Sequence, residues 1–260
     1  MNYTSRYGLE FNPFIKNSKD VLVETNDYKE LIFRLNYLVQ TKGFGVLTGG
    51  PGRGKTTMIR HWVKSLNQSA YKVIYIPMST LTVMEFYRQL AEALGLEAYH
   101  RKSDNFKAIQ KAIEKRMTLI IILDEANYLR NGILNDLKIL FNFEMDSSDQ
   151  AVVLLAGLPQ LNNTFNLAIH EPLKQRIVMN YHIENLNKEE SRKYIQEKLK
   201  GAGCHQQVFE ASAVEAIINA SNGVPRLINQ LCNKSLLAGN NRNQNIIDTD
   251  TVMMAFNELG

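Results

Sequence analysis

Short apolar runs alternate with helical-period stretches through the first two thirds of the chain. Phe44–Thr48, Lys72–Ile76, Thr118–Leu123, Ala151–Ala156 and Ile177–Ile183 read as strands. The third is apolar throughout after Thr118, as expected of a parallel strand covered on both faces. Between the runs the period changes. Asp27 with Glu30 predicts a helix start of the capping-box kind, followed at helical spacing by Tyr28, Leu31, Ile32, Leu35, Leu38 and Val39. Further helices are predicted over Thr57–Val63, over Met84–Leu94 with Gly95 closing it, within Tyr99–Arg116 after a polar loop, and over Asn131–Phe143. Strands alternating with helices imply a parallel sheet with right-handed crossovers.

From Asn187 the strand rhythm stops. Asn187 with Glu190 caps a charged helix, and helical patterns follow over Ala211–Ala220, Pro225–Ala238 and Thr249–Leu259. The expected organisation is a lead-in and helix over 1–40, an α/β core of five parallel strands with flanking helices over 41–186, and a small all-helical domain over 187–260.

Composition narrows the class. With 260 residues, 45% hydrophobic and 22% charged, the chain is ordinary for a folded protein of one or two domains. No run approaches a membrane span, and Met1–Arg6 has no apolar leader core, so the sequence predicts a cytoplasmic protein with no membrane partner. Cys204 and Cys232 form no metal or disulfide framework. The formal net charge of +4 permits a nucleic-acid partner without requiring one.

One loop carries specific chemistry. Gly49-Gly50-Pro51-Gly52-Arg53-Gly54-Lys55-Thr56-Thr57 fits G-x-x-x-x-G-K-[ST] between a strand and a helix. Such a backbone turns its N–H groups toward phosphates and aims the positive end of the following helix at them. Lys55 would reach the β- and γ-phosphates, and the Thr56 hydroxyl would ligate Mg²⁺. A second acidic site is expected on the neighbouring strand, and Leu119–Glu125 supplies it. Asp124 would join Thr56 in the Mg²⁺ shell, and Glu125 would polarise the attacking water.

Two arginines lie outside this set. Arg226, in Gly223-Val224-Pro225-Arg226, opens a helix and could reach a γ-phosphate. Arg176, just before the fifth strand, could act as an arginine finger on a neighbouring subunit. From residue type alone, a surface arginine at the end of an element is the favoured reading of each.

The ordered set Gly49–Thr57, Leu119–Glu125, Leu155–Leu161, Gln175–Ile177 and Gly223–Arg226 resembles an AAA+ ATPase. More narrowly it resembles the branch of ExeA-type ATPases and the transposition ATPases TnsC, TniB and the phage Mu B protein. The lead-in Tyr7–Phe14 and Pro225–Leu231 are especially similar to the ExeA-like members. This resemblance implies a Rossmann-like core with a helical lid, ATP and Mg²⁺ as cofactors, and ATP hydrolysis. It also implies Arg226 as sensor 2, Arg176 as a trans-acting finger, and assembly into a ring or filament. One departure is visible: where many AAA+ proteins carry a polar first sensor, this chain has Ala156-Gly157, with Gln160 a substitute.

ExeA-type secretion ATPases typically continue into a membrane span and an envelope-binding domain. This chain ends at Gly260, and the expectation is a transposition helper that binds duplex DNA and recruits or regulates a transposase. A secretion or envelope regulator without DNA binding and an initiator- or clamp-loader-like switch remain alternatives. A DNA surface is offered between Tyr99 and Arg116, where Arg101, Lys102, Lys107, Lys111, Lys115 and Arg116 face only Asp104 and Glu114. Lys107, Lys111 and Lys115 recur every four residues, forming a basic stripe suited to phosphates rather than bases. A solvated helix face is the alternative. Tyr99, Arg130 and Asn131 are weaker candidates.

Overall fold

The computed structural model describes residues 3–78, 80–113, 118–143 and 149–259. By their contacts the residues form two units, one of Asp27–Pro51 with Lys55–Ile183 and one of Met1–Asn26 with Gly52–Gly54 and Glu184–Gly260.

The first unit is built on five parallel strands: β1 Gly43–Gly49, β2 Tyr71–Pro77, β3 Thr118–Asp124, β4 Ala151–Gly157 and β5 Ile177–Ile183. Their order is β2-β3-β4-β1-β5. All five runs expected from the sequence are strands, extended at most by a residue or two. The central strands β3, β4 and β1 are buried almost end to end, whereas the edge strands β2 and β5 alternate.

That uninterrupted burial has a simple cause. Successive side chains of a strand point to opposite faces, and here both faces are covered. Ile121, Leu123, Val153 and Leu155 pack with Phe86, Leu90, Ile109, Leu134 and Leu137 from the helices Val83–Leu94, Lys102–Ile113 and Asn131–Leu140. Ile120, Ile122, Val152 and Leu154 pack on the other face with Leu31, Leu35, Ile59 and Trp62 from Asn26–Thr41 and Lys55–Ser65. Each such side chain contributes about 1.5–3 kcal/mol by leaving water.

Three local expectations are corrected. β3 is not the neighbour of β1: β4 lies between them, paired Val46↔Leu155 on one side and Ile121↔Val153 on the other. Asp27 lies within the first turn of its helix rather than just ahead of it. The helix already includes Asn26, and the Asp27 carboxylate accepts the Tyr181 hydroxyl at 2.6 Å. The helix expected over Asn131–Phe143 ends at Leu140, with Phe141 as its C-cap.

The second unit is helical: Lys188–Gly201, Ala211–Ser221, Pro225–Asn241 and Thr249–Asn257. The predicted capping box is present, with Asn187 Oδ1 accepting Glu190 N–H at 2.9 Å and Glu190 Oε2 accepting Asn187 N–H at 3.2 Å. Its core includes Ile195, Phe209, Ile217, Leu231 and Ile247, and also Tyr7, Leu9 and Phe14. The stretch expected as one segment over 1–40 is therefore divided. Met1–Asn26 groups with the helical unit, and the helix after it with the sheet. Both cysteines are buried, and burial pushes the Cys232 thiol far above its ordinary range, in keeping with packing roles.

Candidate nucleotide-phosphate site

The phosphate-loop motif begins on the last residue of β1 and ends inside the helix Lys55–Ser65. Gly52 and Gly54 have φ of 76° and 95°, a left-handed backbone that costs any other residue about 1–2 kcal/mol. Helix geometry starts at Lys55, so the first-turn N–H groups have no partners within the helix and leave a positive end open to an anion. Lys55 is only 7% exposed, and its Nζ donates to the carbonyls of Gly49 at 2.7 Å and Gly50 at 3.1 Å. The loop therefore already holds the ammonium beside its own backbone.

Asp124 closes the other side. The carboxylate is 2% exposed at the carboxyl end of β3, and its Oδ2 accepts the Thr56 hydroxyl at 2.8 Å. The pair forms although β3 and β1 are not adjacent, because Thr56 sits on the helix rather than on the strand. Since the Thr56 hydrogen goes to Asp124, the hydroxyl oxygen keeps lone pairs for a cation. A hydroxyl with a carboxylate is an all-oxygen set suited to Mg²⁺.

Two further groups hold the carboxylate, and neither was anticipated from the sequence. The Tyr75 hydroxyl donates to Asp124 Oδ2 at 2.9 Å, and the Glu125 N–H donates to Oδ1 at 2.9 Å. The Tyr75 phenol is pushed up to about 12, first by burial and then by its bond to Asp124.

Glu125 is exposed and has φ of 56°, a left-handed conformation that a non-glycine residue adopts only when its surroundings impose it. The imposing contacts are local. Tyr128 N–H donates to the Glu125 carbonyl at 3.0 Å, and Asn127 Oδ1 accepts Leu158 N–H at 3.0 Å from just beyond β4. Glu125 is thus presented on a pinned turn next to Asp124.

Gln160, offered above as a first-sensor substitute, is exposed at the start of a short helix. The polar group near the end of β1 is instead Asn162, whose Nδ2 donates to Thr48 Oγ1 at 3.4 Å, with His182 Nδ1 at 2.9 Å from the same hydroxyl. A polar residue two positions beyond Gln160 was the only signal for it.

Arg176 is placed inside the sheet unit, its side chain 13% exposed. It donates to the carbonyls of Lys138 and Phe141, both at 2.8 Å, and to Asp149 Oδ1 at 3.0 Å, with its guanidinium 5.4 Å from the centre of the Phe44 ring. Arg226 is exposed in the helical unit, and its backbone N–H donates to the carbonyl of Gly52, which groups with that unit, at 3.2 Å.

Of the basic residues proposed for DNA, Arg101, Lys107 and Lys111 are exposed, the last two one turn apart on Lys102–Ile113. Lys102 is engaged. Its Nζ donates to Asp136 at 2.7 Å and lies 5.5 Å from the centre of the Tyr87 ring. Lys115 and Arg116 lie outside the described residues. Among the weaker candidates, Arg130 donates to the Thr80 carbonyl at 3.5 Å and Asn131 Oδ1 bonds His170 Nε2 at 3.0 Å.

This loop, its lysine and the Thr56–Asp124 pair on a β2-β3-β4-β1-β5 sheet coincide with a family match, "AAA domain", over residues 38–165. Residues 38–165 are an AAA domain. General secretion pathway protein A of Aeromonas hydrophila is 29% identical over 269 residues, covering 99% of this chain and 49% of that protein. ATP-dependent target DNA activator B of Escherichia phage D108 is 31% identical over 136 residues, covering 52% of this chain and 41% of that protein. The chain thus spans about half the length, or less, of these relatives. Among solved structures, Cdc6p from Pyrobaculum aerophilum superposes with a TM-score of 0.71 at 15% identity, over 90% of this chain and 67% of that one. The fold is that of the AAA+ ATPases. No helix among the described residues is long and apolar enough to cross a membrane.

Proposed function

We propose that the chain is an ATP-hydrolysing switch that binds duplex DNA without reading its sequence, assembles on it, and recruits or regulates a transposase. The observation that carries the ATPase part is the bond from Thr56 to the buried Asp124 beside the loop that holds Lys55. In this reading Lys55 exchanges the Gly49 and Gly50 carbonyls for the β- and γ-phosphates, and the open first turn of its helix receives them. Mg²⁺, when bound, neutralises charge on the phosphate oxygens. Thr56 and Asp124 would hold it. Glu125 orients the attacking water and takes up its proton. Arg226 is the proposed reader of nucleotide state. Arg176 would serve a neighbouring subunit only by exchanging the Lys138, Phe141 and Asp149 acceptors.

The DNA part rests on two supports. One is the relationship to a phage protein described as an ATP-dependent target DNA activator. The other is the exposed set Arg101, Lys107 and Lys111, which are not ion-paired among the described residues. Repeated along an assembly, such a set contacts phosphates with a strong salt dependence. A second reading, a regulatory ATPase of a secretion system, is favoured by the match to general secretion pathway protein A, which extends across both units.

Fluorescence anisotropy with a random-sequence duplex, in ATP, in ADP and without nucleotide, over a salt series, separates the two. Cooperative, salt-sensitive binding in ATP alone is expected. A folded, ATP-loaded protein that binds no duplex would overturn the DNA reading and leave the secretion-type regulator.

A further inference from the structure

We propose that Tyr75 is a positioning residue for the metal end of this site, acting through Asp124. The inference rests on the reading of Thr56 and Asp124 as the pair that holds Mg²⁺.

An ionised carboxylate has about four lone-pair sites. On Asp124 three are taken by fixed donors: the hydroxyls of Thr56 and Tyr75 on Oδ2 and the N–H of Glu125 on Oδ1. Two of these come with the motif, since Thr56 belongs to the phosphate loop and Glu125 follows Asp124 in the chain. Tyr75 comes from elsewhere, the edge strand β2, where it pairs with Ile122 while Pro77 pairs with Asp124. Its hydroxyl must reach diagonally along the sheet, which only a long side chain can do.

The position also shows what the residue is not for. Ile74 and Ile76 fill the core on one face, and Tyr71 and Val73 pack against the core on the other. Tyr75 continues the second face past the point where that core covers it and is 47% exposed. A half-exposed ring adds little to packing, so its directed contribution is the hydroxyl. That hydroxyl restrains rotation of the carboxylate and so keeps Oδ2 on the Thr56 hydrogen. The Thr56 oxygen then stays turned toward a cation. Outer groups that orient a metal's ligands typically change metal affinity by about 10–100-fold when removed.

The test is a Mg²⁺ titration of the full chain with a fluorescent ATP analogue, comparing wild type with Tyr75→Phe, alongside nucleotide binding in EDTA and a melting curve. The Mg²⁺ concentration at half-saturation should rise about tenfold. Affinity in EDTA and the melting temperature should stay at wild-type values. Combined with Asp124→Ala, the Tyr75 effect should vanish, because a residue acting only through Asp124 then has no acceptor left to act on. An unchanged Mg²⁺ curve, a shift that adds fully to that of Asp124→Ala, an equal loss of affinity in EDTA, or a collapsed melting curve would each overturn the proposal. If wild type binds no nucleotide at all, it is the phosphate-site reading that fails, not this one alone.

Discussion

Replacing Arg176 by alanine separates two roles for one side chain. The resemblance to AAA+ proteins assigns it to a neighbouring subunit's nucleotide, whereas the structure shows it at the end of a helix of its own unit. The helix Asn131–Leu140 has carbonyls in its last turn without partners further along the helix, and the guanidinium bonds Lys138 there and Phe141 at the cap. A cation is favoured at that negative end of the helix dipole. Asp149 and the ring of Phe44 also contact it.

Hydrogen bonds to a charged group contribute about 1.5–3 kcal/mol each when well made. Asp149 is 36% exposed, so that ion pair is partly screened and worth less. Because the contacts share one side chain they do not add fully, and a total loss of about 3 kcal/mol is expected. For a unit of this size that lowers the melting temperature by roughly 6–12 °C. Arg176→Lys should recover only part of it, since an ammonium lacks the planar fork that serves two carbonyls and a carboxylate together. Thermal melts of the isolated protein, with nucleotide binding measured below the transition, decide the matter. A variant that melts with wild type and loses only assembly-stimulated hydrolysis would refute the anchoring argument and restore the finger.

Lys55→Ala should abolish nucleotide binding, read by the same fluorescent analogue, and with it any ATP-dependent DNA binding. Glu125→Gln should bind ATP like wild type and release no phosphate in a coupled assay, and wild-type turnover would remove Glu125 from its role. Lys107→Glu with Lys111→Glu should weaken duplex binding across sequences and reduce the salt slope by about 1 per lysine; an unchanged slope would return the stripe to a solvated helix face. Asp248 caps Thr249–Asn257 through the Thr251 N–H at 2.9 Å, and that bond lowers its carboxyl pKa. Its stabilisation is present above the unfolded carboxyl pKa and is lost as pH falls through the lower folded value. Asp248→Ala should therefore cost about 1 kcal/mol in neutral urea melts, and less once the carboxyl is protonated in both the folded and the unfolded state.

The architecture was legible wherever one local rule decided it. β3 reads as a buried strand because every residue from Leu119 to Leu123 is apolar, and two covered faces leave no position for a polar one. Asn187 and Glu190 name their own capping box. Strand order was not legible to the same degree. Placing β3 beside β1 was natural because Thr56 and Asp124 must meet, yet β4 separates the strands. The surroundings of Asp27 differ for a related reason. The sequence pattern offered a local partner, Glu30, while the carboxylate is held by Tyr181, distant in the chain.

The same division runs through the site. A phosphate loop can be read from nine consecutive residues because one backbone turn creates it, and its lysine is held by carbonyls of that same turn. What makes the loop part of a working centre depends on residues that no spacing rule connects. Tyr75 reaches Asp124 across a strand pairing, Asn127 pins the Glu125 turn to the end of β4, and Arg176 is spent on a helix end. Each joins segments far apart in sequence, and each uses a residue type with a more ordinary explanation where it stands. Tyrosine is common in strands, asparagine in turns and arginine at element ends. The motif therefore identifies the ligand class, while the groups that brace Asp124 and the Glu125 turn become visible only when the sheet is assembled. Variation at Tyr75 or Asn127 should accordingly tune the site without altering any residue of its signature.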